Sequence, residues 1–367
     1  MDLKIVKNLS DHNPKIVLVC PLDWGLGHAS RDVIIIKKLL SNGFKVIIGA
    51  DKAPLSFLRT EFPKLTFVKI PSVEIKYPKG KLMTLKMLFS IPQILYSIQK
   101  EHQLLKRIIA SQNIDIVISD NRFGLWNKKV YSIFITHQLE IQLPKWMKFM
   151  NGFTNKINHW FIDKYDVCWV PDFPGNKNIA GVLSWPLKIL KNTKYIGLLS
   201  RFDTNILIEK KYDILAVLSG PEPQRSIFEE ILIEEFKKSN KKAIIVLGKP
   251  DFSATYTKNN IDFINHLESE QLGQLILATP MVISRSGYSS IMDYIVLKKN
   301  AILVPTPGQT EQEYLADSLK ARGWFYSVKQ NKFKLKNVSQ KFRNFKVPEL
   351  NTQNSLLENE IRKLLEI

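Results

Sequence analysis

Two sets of residues in this chain have the types and spacing to do chemistry. The first follows a short apolar run, Lys15 to Pro21, and reads Leu22-Asp23-Trp24-Gly25-Leu26-Gly27-His28. An imidazole at the carboxyl end of a strand can take a proton near neutral pH, because its unperturbed pKa is about 6.5. Two later apolar runs, Ile114 to Ser119 and Tyr131 to Thr136, end in Asp120-Asn121-Arg122 and in His137-Gln138. If these runs are parallel strands, His28, Asp120, Arg122 and His137 project from one sheet edge into one crevice. Such a crevice suits proton abstraction from a hydroxyl. Asp120 would either orient an imidazole or be the base itself; alternatively, Asp120 and Arg122 form a structural ion pair. The second set begins where Met281-Val282-Ile283 ends in Ser284-Arg285-Ser286-Gly287. Small residues at a helix start leave N–H groups free for a phosphate, and the helix dipole favours negative charge there.

These residues need strands and helices to hold them. After Gly287 an amphipathic helix is expected, with Ile291, Tyr294 and Ile295 inward. A second apolar run, Ala301 to Val304, closes in Pro305-Thr306-Pro307-Gly308, and Gln309 to Glu313 open another helix. This is the repeating unit of a parallel α/β sheet. The same alternation recurs along the chain. Phe44 to Gly49, Leu65 to Ile70 and Asp166 to Val170 read as further strands of a first sheet. Asp213 to Leu218 begins a second sheet, with Ser219-Gly220-Pro221-Glu222-Pro223-Gln224-Arg225 and a helix from Ile227 to Lys238 after it. Lys242 to Gly248 and Phe325 to Val328 extend that sheet. The stretch from Thr193 to Lys211 lacks periodicity, which puts a linker near residue 200. Asn351 to Ile367 reads as a tail helix. Pro92 is expected to break the apolar stretch from Leu82 to Arg107 into two helices.

The run Arg285-Ser286-Gly287, then Asp293, then Pro305 and Gln312-Glu313, resembles the donor-site signature of the MurG-type glycosyltransferases of family 28. The resemblance implies a GT-B architecture, an α/β fold of two doubly wound Rossmann-like domains facing across a cleft. It implies that the Arg285-Ser286-Gly287 loop opens the donor site. Asp293 would hold the ribose of a UDP-sugar, and Gln312 with Glu313 the sugar. Asp293 is shorter than the family's Glu, and Glu313 replaces a second Gln. By the same resemblance Ser219 and Gly220 offer donors to the diphosphate, and Arg225 pairs with phosphate as a planar fork.

The Gly25-x-Gly27 loop has two readings. It resembles the acceptor-domain loop of the same family, where a Gly-rich turn ends in a His; Gly25 and Gly27 would then line the acceptor site with Arg122 and His137. It also partly matches a dinucleotide fingerprint with Asp51 as the ribose carboxylate, although Ser30 stands at the third Gly position.

The chain has 367 residues, 45% of them hydrophobic, which suits two cores. Its 53 Lys and Arg against 34 Asp and Glu give a formal charge of +19, which calls for an anionic partner or a solvated Lys-rich surface. No nucleic-acid recognition module accompanies that charge, so nucleic acid is not expected. The segment from Leu143 to Lys164 mixes Trp146, Met147, Phe149, Met150, Phe153, Trp160 and Phe161 with lysines. It reads either as a surface for an anionic membrane or as ordinary packed helices. The apolar spacing from Leu95 to Arg107 reads as core. No apolar run approaches the ~20 residues a spanning helix needs, and the polar first fourteen residues leave no signal-peptide core. Cys20 and Cys168 lie in apolar runs and read as buried thiols of a reducing compartment. His12, His102, His159 and His266 show no metal-ligand spacing.

The expected organisation is residues 1–200 as an acceptor domain with a possible membrane-facing surface. Residues 201–345 are the nucleotide-sugar domain, and 346–367 a tail packing back on the first. The expected activity is inverting, metal-independent sugar transfer from a UDP-sugar to a lipid-linked or membrane acceptor at the cytoplasmic face, with no cofactor beyond that co-substrate. A sugar-nucleotide 2-epimerase and an NAD-dependent oxidoreductase are the alternatives.

Overall fold

The computed structural model describes residues 13–71, 91–202, 211–220, 222–249, 255–353 and 355–367. The expectation for Leu82 to Ser90 lies outside these. Two seven-stranded sheets carry the fold. The first comprises β1 (Ile16–Pro21), β2 (Lys45–Ala50), β3 (Thr66–Lys69), β4 (Ile116–Asp120), β5 (Tyr131–Ile135), β6 (Val167–Val170) and β7 (Thr193–Tyr195). Their order is β3-β2-β1-β4-β5-β6-β7, and every pairing is parallel. The second comprises β8 (Ile214–Val217), β9 (Ala243–Val246), β10 (Thr255–Lys258), β11 (Ile261–Ile264), β12 (Met281–Ser284), β13 (Ala301–Leu303) and β14 (Tyr326–Ser327). Its order is β10-β11-β9-β8-β12-β13-β14, parallel except for the β10–β11 hairpin at one edge.

Helices cover the sheets, which is why the strands are continuous apolar runs rather than alternating ones. Val17, Leu18, Val19 and Cys20 are all wholly buried. The crossover helices are α1 (Leu26–Ser41), α2 (Lys52–Glu61), α3 (Ile91–Gln112), α4 (Asn151–Ile162), α5 (Gln224–Lys237), α6 (Ser269–Ala278), α7 (Tyr288–Val296) and α8 (Thr310–Ala321); α9 (Leu335–Lys341) and α10 (Ser355–Lys363) end the chain. α1 stops where the Asn42 N–H bonds back to Lys38 and Leu39 and Gly43 turns the chain at φ +82°.

Two local readings change. Thr193–Tyr195 is an edge strand, not linker; three residues with a Lys between Thr and Tyr carry no apolar run to reveal it. Pro92 sits in the first turn of α3, where a missing N–H costs no hydrogen bond; the first of the two helices expected around it lies outside the described residues. Leu95 and Tyr96 are exposed rather than core, whereas Leu105 and Ile108 of the same helix are buried.

The two sheets share their packing. One apolar cluster runs from Ala29 and Val33 of α1 to Tyr288, Ile291 and Met292 of α7. α10 lies against α1: Leu357 and Ile361 are buried, Lys38 Nζ is 3.1 Å from Glu358 Oε2, and Lys15 Nζ donates to the Leu364 carbonyl at 3.0 Å. Both cysteines are free and buried. Among the described residues no helix is long and apolar enough to cross a membrane.

Candidate active site between the two sheets

Each sheet has one point where neighbouring strands lead their connections away in opposite directions. In the first it lies between β1 and β4, and in the second between β8 and β12. Loops leaving such a point open a crevice at the carboxyl edge. Pro21 is paired with Asp120 across the first switch point. Beyond Pro21 the chain turns through Gly25, at φ +141°, into α1, whose first turn carries His28. A side chain at Gly25 would be strained there.

His28 Nδ1 lies 3.0 Å from Asp120 Oδ1. One turn further along α1, the Arg31 guanidinium grips the same carboxylate, with Nε donating to Oδ2 at 2.7 Å and Nη2 to Oδ1. Asp120 is wholly buried. Burial alone would raise its pKa, but the charges of Arg31 and then His28 outweigh that and hold it well below the carboxylate range. Arg31 Nη2 also lies 3.1 Å from His28 Nδ1 but donates to Asp120, so the ionised carboxylate accepts the Nδ1 proton of His28, which leaves the lone pair on Nε2. The His28 side chain remains 19% exposed, so that nitrogen is reachable. Behind this group sits Asp32, buried, with neither carboxyl oxygen hydrogen-bonded. Burial, and then the Asp120 charge, push its pKa up, so it is held neutral.

Arg31 also reaches His137, with Nη1 3.2 Å from Nδ1. A guanidinium can only donate, so His137 Nδ1 accepts and its proton is on Nε2. That Nε2 donates to Glu311 Oε1 of α8 at 2.8 Å, and the Gln138 amide donates to the other Glu311 oxygen. The His137 ring stacks on Tyr288 of α7, with centroids 4.0 Å apart and planes 6° apart. Burial lowers the His137 pKa against the pull of Glu311 and keeps the ring neutral. Two further contacts join the carboxyl edges of the sheets. Ser289 Oγ donates to the Gly27 carbonyl at 2.8 Å, and the Val182 N–H donates to Tyr314 Oη at 3.1 Å.

On the second sheet the expected residues divide. Ser219 and Gly220 are exposed beyond β8, and Gly287 faces open space at the start of α7, which has no side-chain cap. These backbone groups can meet an anion. Ser286 is buried, its hydroxyl donating to the Gln312 carbonyl at 2.9 Å.

Five expected ligands are engaged elsewhere. Arg285 is wholly buried; it donates to the carbonyls of Gln224, Val304 and Pro305 at 2.7, 3.2 and 3.4 Å, and burial lowers its pKa to about 9. It ties three loops together and does not face the cleft. The Arg225 fork is taken by Glu222 and Glu229, each at 2.7 Å, because both carboxylates lie one helical turn away. Asp293 is buried and accepts from the Ser200 hydroxyl at 2.7 Å, so the segment joining the sheets occupies it. Gln312 is buried, and its side-chain oxygen caps the Thr306 N–H at 2.9 Å; Glu313 caps Gly308 at 3.0 Å.

On the first sheet, Arg122 is the misplaced residue. It is buried against Glu101 at 2.8 Å and donates to the carbonyls of Ile70 and Pro71, so it neither pairs with Asp120 nor enters the crevice. Asp51, the carboxylate of the dinucleotide alternative, lies 3.5 Å from Lys69.

Sequence reading missed Arg31, Asp32, Tyr288 and Glu311. Arg31 follows His28 at helical spacing, which was a usable signal. Glu311 adjoins the Gln312 that was singled out, but only the loop geometry shows which of the two side chains crosses the cleft. Among the described residues no group of three or more His, Cys, Asp or Glu is placed to hold a metal.

Residues 214–365 match the model of the glycosyltransferase family 28 C-terminal domain. The chain is 24% identical over 317 residues to a UDP-N-acetylglucosamine--N-acetylmuramyl-(pentapeptide) pyrophosphoryl-undecaprenol N-acetylglucosamine transferase of Clostridium botulinum, covering 81% of each chain. Its fold is similar to that of the glycotransferase of kitacinnamycin, with a TM-score of 0.60, 12% identity and 96% and 95% of the two chains covered. It is also similar to Acinetobacter baumannii MurG, with a TM-score of 0.53, 14% identity and the same coverage. The second sheet carries a glycosyltransferase family 28 C-terminal domain, the chain is similar over both sheets to a MurG-type transferase, and its two-domain architecture is the GT-B fold common to these structures.

Proposed function

We propose that this enzyme moves a hexose or N-acetylhexosamine from a UDP-sugar to a hydroxyl of a lipid-linked or other membrane-associated acceptor, with inversion, without a metal and with no cofactor beyond the donor. The observation that carries this reading is His28. It is a reachable imidazole backed by an ionised Asp120, at the switch point of one sheet, against the family 28 domain of the other. In the reaction Nε2 takes the acceptor hydroxyl proton as the oxygen attacks the anomeric carbon. The bond from that carbon to the diphosphate breaks, and UDP leaves with its electron pair. Backbone N–H groups at Ser219, Gly220 and Gly287, with the positive end of α7, meet the charge that develops on the diphosphate. Asp120 positions the imidazole, and the acceptor lies against Gly25, Gly27 and His137.

The donor and acceptor classes follow those in the relative's name. A membrane acceptor is also supported by surface chemistry. Trp146, Phe149, Phe153 and Trp160 are exposed around α4, with Lys148 and Lys156 among them. Lys164 lies over the rings of both Trp160 and Trp126, and Trp126 packs against His102 of α3, a helix on which Leu95 and Tyr96 are also exposed. Helices after parallel strands start at the carboxyl edge, so this surface borders the crevice. It suits peripheral contact with the anionic cytoplasmic face of a membrane.

The test is thermal unfolding with UDP, UDP-N-acetylglucosamine, UDP-glucose, GDP, dTDP and NAD, because a ligand that binds the folded state raises the midpoint. Protection by uridine compounds is expected. Protection by NAD alone would overturn the reading.

A further inference from the structure

A groove of about 400 Å³ adjoins the crevice on the first domain, between Glu140 and Gln142 on one side and Val182, Trp185, Leu187 and Ile189 on the other. That is room for a small ligand. Its inner end is tied to the crevice twice. Glu140 follows His137 in the same loop, and the Val182 N–H donates to Tyr314 Oη of α8, one turn from the Glu311 that bonds His137. Its outer end is an apolar tip on a fixed base. Ser184 Oγ donates to buried Asp172 at 2.6 Å, the Tyr195 hydroxyl donates to the Ser184 carbonyl at 2.7 Å, and the Trp185 ring packs on Tyr195. Beyond that base Leu187 is fully exposed, with exposed Lys188 beside it. The opposite wall is fastened to α4. Asn151 and Asn155 accept from the Leu143 and Ile141 N–H groups at 3.2 and 2.8 Å, and Asn158 donates to the Gln138 carbonyl at 3.0 Å. These three share one face of α4, which leaves Phe153, Lys156 and Trp160 exposed on the other. The same wall leads through Pro144 into the exposed Trp146 and Phe149. Within the groove the Gln142 amide donates to Glu140 Oε1 at 3.0 Å, so the polar side chains satisfy each other. The carboxylate repels a phosphate, and the remaining lining is apolar.

We propose that this groove holds the first stretch of the acceptor lipid's hydrocarbon chain while the acceptor hydroxyl lies at His28. The inference rests on the glycosyl-transfer reading above and adds where the acceptor's chain lies. The occupant is the acceptor's own chain rather than a bulk membrane lipid, because the groove adjoins the crevice. A chain lying along it from the Leu187 tip ends beside Val182 and Glu140, next to the loop that carries His137, where its head group enters the site.

The test is calorimetric titration of the full chain with hexyl, octyl and decyl β-glucoside as monomers. A fully buried methylene multiplies affinity by up to about fourfold, so wild type should tighten by at least about threefold at each step of two carbons. Val182→Trp fills the groove while adding apolar surface, and it should flatten the series. Leu187→Ser with Ile189→Ser should flatten it too, and decides the matter if the tryptophan variant fails to fold. Phe149→Ser with Phe153→Ser should leave the series steep, because those rings lie outside the groove. Protection of each variant by UDP against thermal unfolding reports that it is folded. Vesicles containing phosphatidylglycerol should sediment Val182→Trp as they do wild type. A flat series in wild type, or one that stays steep in folded Val182→Trp, overturns the proposal. So does a loss of vesicle binding by Val182→Trp in step with its loss of the glucosides, which would give the groove to bulk lipid. Failure of the wild type to bind any uridine compound would instead strike the underlying reading, and with it the acceptor as occupant.

Discussion

His28 and Arg31, one helical turn apart on α1, share the carboxylate of Asp120: Nδ1 of the histidine is 3.0 Å from Oδ1, and the guanidinium holds both oxygens. This arrangement separates the roles of two residues that the sequence leaves interchangeable. Asp120 is buried, ionised and occupied, so the proposed mechanism gives the acceptor proton to His28 instead. His28 keeps Nε2 free. His28→Ala should lower kcat by about 10²–10⁴, the range for a lost general base, with UDP affinity unchanged. Asp120→Asn should also lower kcat, because an amide can present an N–H to Nδ1 and invert the tautomer. Turnover by His28→Ala within tenfold of wild type would remove the base from this position.

Asp32 and Asp120 are neighbouring buried carboxyls with opposite states, and their variants should differ accordingly. Asp120→Ala leaves Arg31 buried without its ion partner, a change that costs about 3–5 kcal/mol. Asp32 is held neutral by burial and by Asp120. Asp32→Asn keeps a neutral group of similar shape and removes the ionisation that favours the unfolded chain, so it should be more stable than wild type at neutral pH and close to it near pH 3. The sign with pH follows from the raised pKa. Stability linked to Asp32 is complete below the unfolded carboxyl pKa and is lost as pH rises through the folded one. Urea midpoints should therefore fall less for Asp32→Asn than for wild type as pH rises from acid towards neutral.

Much of this site is legible in the sequence. Parallel apolar runs predict that His28, Asp120 and His137 share one edge, and they do, because β1, β4 and β5 are adjacent and in register. Small residues at Ser219-Gly220 and Gly287 mark the exposed backbone at the second switch point. What the sequence does not reveal is the direction of long charged side chains. Arg122, Arg225 and Arg285 all stand in loops or helix starts that reach the crevice, yet each finds carbonyls or carboxylates nearby and is buried on them. A guanidinium has five donors and several rotatable bonds, so spacing along the chain does not fix where it ends. Glu311 illustrates the converse, since adjacent positions on α8 point into different surroundings and only the packing selects one.

Arg122 offers a measurable contrast with the His28 group. Its guanidinium joins Glu101 of α3 to the carbonyls of Ile70 and Pro71. Arg122→Met should destabilise the fold by about 3 kcal/mol or more, since Glu101 is left buried without a cation. A folded Arg122→Met enzyme assayed well below its melting point should keep kcat within a few fold. A selective loss of kcat at full stability would return Arg122 to the acceptor site.

Asp293 should make stability fall across the weakly acidic range. Burial raises its pKa to about 6, with Arg201 and the Ser200 hydroxyl opposing the rise. A raised carboxyl favours the protonated fold. Its contribution is therefore present below about pH 4 and lost as pH climbs through 6. A shift of about two units corresponds to roughly 3 kcal/mol at pH 8. Asp293→Asn, which keeps an oxygen for Ser200, should be more stable than wild type at pH 8 by up to that amount and equal to it near pH 3. Denaturation curves at the two pH values give the difference directly. A variant less stable at both would show that the ionised carboxylate is held favourably.

The exposed aromatic surface gives the last prediction. Phe149 is 83% exposed, and Trp146, Phe153 and Trp160 are each more than half exposed. Insertion of such rings into the interfacial region of a bilayer gains from apolar burial, while neighbouring lysines gain from anionic lipids, about 1 kcal/mol each near the surface. The two contributions are separable. Sedimentation with vesicles containing phosphatidylglycerol should pull the enzyme down, and raising the salt should release part of it, because charge attraction is screened within about 10 Å. Trp146→Ser with Phe149→Ser and Phe153→Ser should weaken binding at every salt concentration, since the apolar contribution is not screened. Lys148→Gln with Lys156→Gln should weaken it only at low salt. These five positions lie outside the His28 network, so the variants should turn over a soluble acceptor analogue at the wild-type rate and lose activity only on acceptor embedded in vesicles. Equal loss on both acceptors would place the aromatics inside the acceptor site rather than on a membrane-facing surface.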